Sequence, residues 1–177
     1  MKEPYVGLVL DGEEWVNNQK NRIIRAMYLL DYFLRVYAHQ SDDRNGNIPT
    51  QKKIQCLKAQ LEIAGIVKSV VDDDNVGTHL EVALSNIAIA ELYAELNDAK
   101  NVLKHIEAAT QNSMHHIDHM DKTNDDDGGN YMPWETPRNL PWLLWEDHLM
   151  KPMFDFVRGD EHFVKYFEQL KANSKEL

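Results

Sequence analysis

The feature that most constrains the fold is an apolar repeat of three to four residues through the first two thirds of the chain. This spacing places apolar side chains on one side of an α-helix. It predicts four long helices within 12–120, one beginning near Trp15 and the others at about 51–71, 78–96 and 98–120. No convincing strand pattern occurs, so we expect an all-α protein.

The first predicted helix carries two adjoining apolar stripes, which include Ala26 and Leu30. A helix that is apolar on two sides should pack against two neighbours. Only Asn97 and Asp98 separate the third and fourth predicted helices, and so short a connection forces an antiparallel hairpin. Gly65 lies inside the second predicted helix, where glycine costs about 1 kcal/mol relative to alanine. We therefore expect Gly65 to mark a close contact between helices.

The last third of the chain changes character. Residues 121–139 contain three consecutive Asp, two Gly and two Pro, and predict a loop, whereas 140–177 predicts short helices. Aromatic residues interleave with prolines across 131–145 and suit either a partner-binding surface or a cap over the end of the helical array. We favour the cap, because terminal units must cover their apolar face. The whole chain, 1–177, is then one domain with a capping C-terminal segment.

Charge and composition exclude several classes of protein. The 29 Asp and Glu exceed the 19 Lys and Arg, for a formal charge of -10, which argues against direct nucleic-acid binding. The single cysteine, Cys56, excludes an internal disulfide, and we expect it to be a buried small apolar residue. No segment has the ~20 consecutive apolar residues of a membrane helix. We therefore expect a soluble cytoplasmic protein with no membrane contact and no cofactor.

Residues 86–114 share six positions with a known helical repeat: Ile89, Ala90, Tyr93, Leu96, Ile106 and Ala109. On these positions the segment resembles a tetratricopeptide repeat, a pair of antiparallel helices that stacks into a solenoid. It departs from the pattern at Asn86, Asn97, Val102 and Met114, and Asn97 is a mild departure because asparagine tolerates the left-handed conformation that glycine supplies there. The resemblance implies a tetratricopeptide-like antiparallel helical array, an α-solenoid.

A second resemblance covers most of the chain. It is carried by the long helix from Trp15, by Pro49 with Lys52 and Lys53, by the segment 89–96, and by 154–163. In this order they resemble the C-terminal tetratricopeptide-like helical domain of bacterial Cro-type (xenobiotic-response-element, XRE) helix-turn-helix transcription regulators. Nothing before Trp15 resembles the DNA-reading domain of that family.

The two resemblances imply a non-enzymatic module that binds a protein or peptide or forms a homodimer, as the effector-sensing half of a regulator without its DNA-binding domain. No nucleophile elbow, phosphate-binding glycine loop or zinc-protease motif occurs, so we expect no catalytic residues. Transfer from the repeat pattern assigns five groove positions to the ligand: Leu84, Ile87, Glu91, Ala94 and Glu95.

The alternative function is that of a small helical metal-binding protein using His115, His116 and His119. His115 and His119 are four residues apart, so both project from one side of a helix at a spacing that suits a divalent metal. No matching Glu or His motif occurs on another predicted helix, and a solvated helix end explains the histidines more simply. The acidic run 125–127 lacks the alternating ligands of a calcium loop. Gly159 and Asp160 are best explained as a helix end followed by an N-cap.

Overall fold

The computed structural model describes residues 22, 26, 29, 30, 48–71, 76–123 and 138–175, without the side chains of 67, 68, 70, 71, 76–78 and 118–123. Most of the predicted loop at 121–139, the acidic run 125–127, Tyr131, Trp134 and most of the first predicted helix lie outside these residues.

Three long helices form the body of the protein: α1 (Thr50–Val71), α2 (Val76–Glu95) and α3 (Ala99–Thr123). Residues 138–175, the capping segment, contain four short helical elements. These are the α-helical turn α4 (Leu140–Trp142), a π-helix (Leu143–Leu149), a 3-10 helix (Pro152–Val157) and α5 (Glu161–Ala172). No strand occurs in the described part of the chain, so the all-α prediction and the helices predicted there are confirmed.

Helix α2 lies at the centre of the described structure. Its most extensive contact is with α3, and its second most extensive is with α1. The capping segment contacts both α2 and α3. The largest side chains of the shared core are fully buried: Ile54, Leu57, Ile87, Ile89, Ile106, Leu144, Leu149, Phe154 and Leu170. Because these come from α1, α2, α3 and the capping segment, one core holds all four parts together.

The turn between α2 and α3 has the conformation that its sequence predicts. Asn97 has a φ of 55°, in the left-handed region. The N–H groups of Leu96 and Asp98 donate to the carbonyl of Tyr93 at 3.1 and 3.0 Å. The Asp98 carboxylate accepts the backbone N–H of Asn101 at 3.1 Å and so caps the start of α3. Asparagine therefore takes the place of glycine in this turn, and the hairpin is antiparallel.

Glycine 65 does not have the predicted environment. It is exposed, and a Cβ added there would meet no atom of the described residues within 4 Å. The expectation of a close helix contact is wrong, because the repeat identifies the side of a helix but not the distance to its neighbour. Cys56, in contrast, is buried as predicted.

Four residues of the first predicted helix are described, and all are helical and exposed: Arg22, Ala26, Leu29 and Leu30. Leu29 is 71% exposed and Leu30 is 49% exposed. The two-sided burial expected of this helix is therefore wrong at Ala26 and Leu30. Their spacing places Ala26, Leu29 and Leu30 on one side of a helix.

Hydrogen bonds join the two ends of the capping segment. The Asn139 side chain donates to the carbonyl of Asn173 at 2.8 Å and accepts the N–H of Lys175 at 3.1 Å. Trp145 donates its indole N–H to Ser174 at 2.7 Å and packs against the edge of Phe167. Of the two described tryptophans of the aromatic region, Trp145 therefore packs against the core. The Asp160 side chain caps α5 as predicted.

Replacing Asn97 tests the role of the left-handed turn. We expect Asn97→Val to lower the free energy of unfolding by about 1–2 kcal/mol, because a β-branched residue is strained at positive φ. Asn97→Gly is the matched control and should keep stability near that of the wild type. Urea denaturation of the three proteins measures the difference, and equal stability of the Val and Gly variants would contradict the turn described.

Candidate functional site

The five predicted groove positions have different environments. Ile87 and Ala94 are buried in the core, and Leu84 is half-buried against it. Glu95 is exposed and accepts a hydrogen bond from the Thr50 hydroxyl at 3.2 Å. Since Ile87 and Ala94 are covered by the protein itself, these five positions do not form one open groove in this structure.

Glu91, the remaining groove position, is bound by the capping segment. Its Oε1 accepts His148 Nδ1 at 2.7 Å and Lys151 Nζ at 2.5 Å. Burial alone would raise the pKa of Glu91, but the hydrogen bonds and positive charges of His148 and Lys151 outweigh it and lower that pKa below its ordinary value. Glu91 therefore fastens the capping segment to α2.

Two histidine–asparagine pairs join α2 to α3. In one pair α2 supplies the histidine, and in the other α3 supplies it. His79 of α2 is paired with Asn112 of α3, with 3.1 Å between Nδ1 and Oδ1. Asn86 of α2 is paired with His105 of α3 at 2.8 Å between the same atoms. The partners are seven residues apart on each helix, 79 to 86 and 105 to 112, which fits two antiparallel helices in one register.

The asparagine amides fix which ring nitrogen of each histidine carries the proton. Asn86 Nδ2 donates to the carbonyl of Val82 at 2.8 Å, and Asn112 Nδ2 donates to that of Ala108 at 2.9 Å. Each Oδ1 is thereby turned towards its histidine as an acceptor. The histidine Nδ1 must be the donor, so in the neutral ring the lone pair is on Nε2.

His105 is held in its neutral form. Burial, followed by the positive charges of Lys58 and Lys104, lowers its pKa from 6.5 to about 4. Its ring stacks on Tyr93, with 5.7 Å between centroids, and the Tyr93 hydroxyl accepts a hydrogen bond from Lys58 at 2.8 Å. His105 Nε2 is buried and has no hydrogen-bond partner.

A cavity of about 320 Å³ lies where α1, α2 and α3 meet, beside the two pairs. Its volume is at the lower end of the range of small-molecule sites. Both asparagines of the pairs contribute to its wall, and none of the described residues that line it carries a carboxylate, an ammonium or a guanidinium group. The lining residues are Leu61, Ala64, Gly65, His79, Val82, Asn86, Ala108 and Asn112.

The histidines of the metal hypothesis are only partly brought together. His115 is exposed and stacks on His79 of α2, with 5.4 Å between ring centroids, whereas His116 is buried. The side chain of His119 lies outside the described residues. Among the residues described, no group of three His, Cys, Asp or Glu is placed to hold a metal ion.

The histidine–asparagine pairs were not predicted from the sequence. The available signal was a shared seven-residue spacing on two helices predicted to be antiparallel, His79 with Asn86 and His105 with Asn112. To predict the pairs from this spacing, one must also know how far α2 and α3 are shifted along each other. The apolar pattern of a single helix does not contain that information. The same reason explains why the contact of Glu91 with His148, 57 residues away, was missed.

No family model matches the chain, and no curated protein or solved structure matches it. None of the helices in the described ranges is long and apolar enough to cross a membrane. The fold defines the class as an all-α protein, and its function must be argued from its own surfaces and cavity.

Titration of His105 should make the stability of the protein depend on pH. The folded-state pKa of about 4 lies below the ordinary value of 6.5, so between these pH values the unfolded chain binds more protons at this residue. Its contribution, about 3 kcal/mol, is present above pH 6.5 and is lost as the pH falls to about 4. Urea denaturation from pH 4 to 7 measures this loss.

The variant His105→Gln should show a smaller fall in unfolding free energy across this range than the wild type. Exposed His162 supplies the control, since His162→Gln should keep the wild-type pH dependence. If His105→Gln kept the full pH dependence, His105 would not be the buried neutral histidine described.

Proposed function

We propose that this chain is a non-enzymatic helical interaction module that binds a second copy of itself, and that it serves as the effector-sensing half of a bacterial transcription regulator. The observation that carries the proposal is an exposed apolar side of a helix at one end of the chain, formed by Ala26, Leu29 and Leu30. These residues do not contribute to the core that α1, α2, α3 and the capping segment share.

Leu29 and Leu30 are large, adjacent and exposed to solvent. Contiguous exposed apolar residues mark interaction sites more often than singly exposed ones do. The C-terminal capping segment contacts α2 and α3. The exposed apolar side of Ala26, Leu29 and Leu30 belongs instead to the N-terminal part of the sequence. Helical arrays need a polar outer face or a partner at each end, and a second copy supplies such a partner.

The resemblance of residues 86–114 to a tetratricopeptide repeat supports a role in binding. Five of the six positions that match the repeat pattern are buried, Leu96 being exposed, and the turn has its left-handed residue at Asn97. The buried five are Ile89, Ala90, Tyr93, Ile106 and Ala109. We extend the resemblance to Cro-type regulators to propose that DNA contact comes from another domain. A helix-turn-helix domain encoded in frame upstream of Met1 is the finding expected for such a regulator, and a stop codon there would leave a stand-alone interaction protein.

Replacing Leu29 tests self-association. We expect the wild type to form dimers at micromolar concentrations, and Leu29→Glu to be mainly monomeric, because burying an unpaired carboxylate in an apolar interface is unfavourable. Sedimentation equilibrium over a range of concentrations gives both masses. The matched control is Val164→Glu on α5, which puts the same charge at another apolar residue that is 46% exposed.

The control should dimerise like the wild type. A wild type that is monomeric at every concentration would contradict self-association. Dimers of equal stability in the wild type and Leu29→Glu would place the interface elsewhere. Circular dichroism of each variant confirms that it retains its helices.

A further inference from the structure

We infer that the cavity between α1, α2 and α3 is a binding site for a small uncharged molecule that combines an apolar body with an amide-like edge, a hydrogen-bond donor next to an acceptor. This inference rests on the effector-sensing part of the proposed function and names the chemical class of the effector. It does not depend on whether the chain forms dimers.

The described wall of the cavity disfavours an ionic ligand. Asp, Glu, Lys and Arg make up 27% of the chain, yet none of the lining residues in the described ranges is one of these four. An ion bound there would lose its hydration without gaining a partner of opposite charge, which is strongly unfavourable. The apolar part of the wall, from Leu61, Ala64, Val82 and Ala108, suits a hydrocarbon or aromatic body.

The two asparagines supply the polar part of the site. Asn86 and Asn112 each use one amide N–H for a backbone carbonyl and one oxygen lone pair for a histidine. An asparagine amide has two N–H groups and two lone pairs, so one of each remains on both side chains. A ligand with an amide-like edge can accept the remaining N–H of an asparagine and donate to its remaining oxygen lone pair at the same time. Asparagine makes bidentate contacts of this type with adenine.

Burial strengthens the case for Asn86. Asn86 is 4% exposed, and its amide orientation is fixed on both sides by Val82 and His105. The remaining N–H therefore has little access to bulk water and is already oriented, so a ligand does not have to order it. Such preorganisation favours binding.

Gly65 gives the site its opening. It lines the cavity, is exposed, and has open space where a side chain would begin. A large residue at this position would occupy the entrance without displacing described neighbours. Gly159 offers a matched control, because it also has open space around its Cβ position and lies in the capping segment, away from the cavity lining.

The experiment uses the full chain and three small probes of similar shape. 2-Quinolone has an amide edge on an aromatic body, naphthalene lacks that edge, and quinoline-2-carboxylate carries a negative charge. We expect 2-quinolone to bind, to raise the midpoint of thermal unfolding, and to shift the side-chain amide NMR signals of Asn86 and Asn112. Naphthalene should bind at least about tenfold more weakly, since two hydrogen bonds are lost, and quinoline-2-carboxylate should not bind.

Gly65→Phe should abolish the effect of 2-quinolone, while Gly159→Phe should leave it unchanged. Failure of 2-quinolone to shift either asparagine signal would overturn the inference, as would equal binding of naphthalene, or wild-type binding by a folded Gly65→Phe variant. Because this readout is ligand binding rather than mass in solution, its failure is separable from failure of the self-association proposal.

Discussion

Two polar contacts between α2 and α3, one buried and one partly buried, set the register on which the positions of α1 and the capping segment depend. Apolar side chains alone would let two amphipathic helices slide by a turn at little cost, because one isoleucine packs much like another. The pairs of His79 with Asn112 and of Asn86 with His105 do not tolerate such a slip. A buried donor or acceptor left without its partner costs about 1–3 kcal/mol, and a slip would separate both pairs at once.

With this register set, α2 can hold the rest of the structure through separate contacts. Tyr93 stacks on His105 and accepts a hydrogen bond from Lys58 of α1, while Glu91 holds His148 and Lys151 of the capping segment. One helix thus connects α1 and the C-terminal cap through residues two positions apart. The cavity is a consequence of the same arrangement, since the asparagines that lock the helices together also form its polar wall.

The helices could be predicted from sequence because their information is local. Apolar spacing located α1, α2 and α3, a two-residue break located the hairpin, and asparagine chemistry identified Asn97 as the left-handed residue. The site could not be predicted in the same way, because it depends on distances between helices. Gly65 was expected at a tight contact and lies beside open space. Ile87 and Ala94 were assigned to a groove and lie in the core, because a repeat pattern identifies the buried side of a helix without saying what covers it.

The mutual dependence of α2 and α3 can be measured most directly by native-state hydrogen exchange under increasing urea, which gives a free energy of opening for each backbone amide. If the histidine–asparagine pairs lock the two helices into one unit, the slowest amides around Asn86 and those around His105 should open with the same free energy, equal to that of global unfolding. Exchange of one helix through a smaller opening, while the other stays protected, would contradict this arrangement.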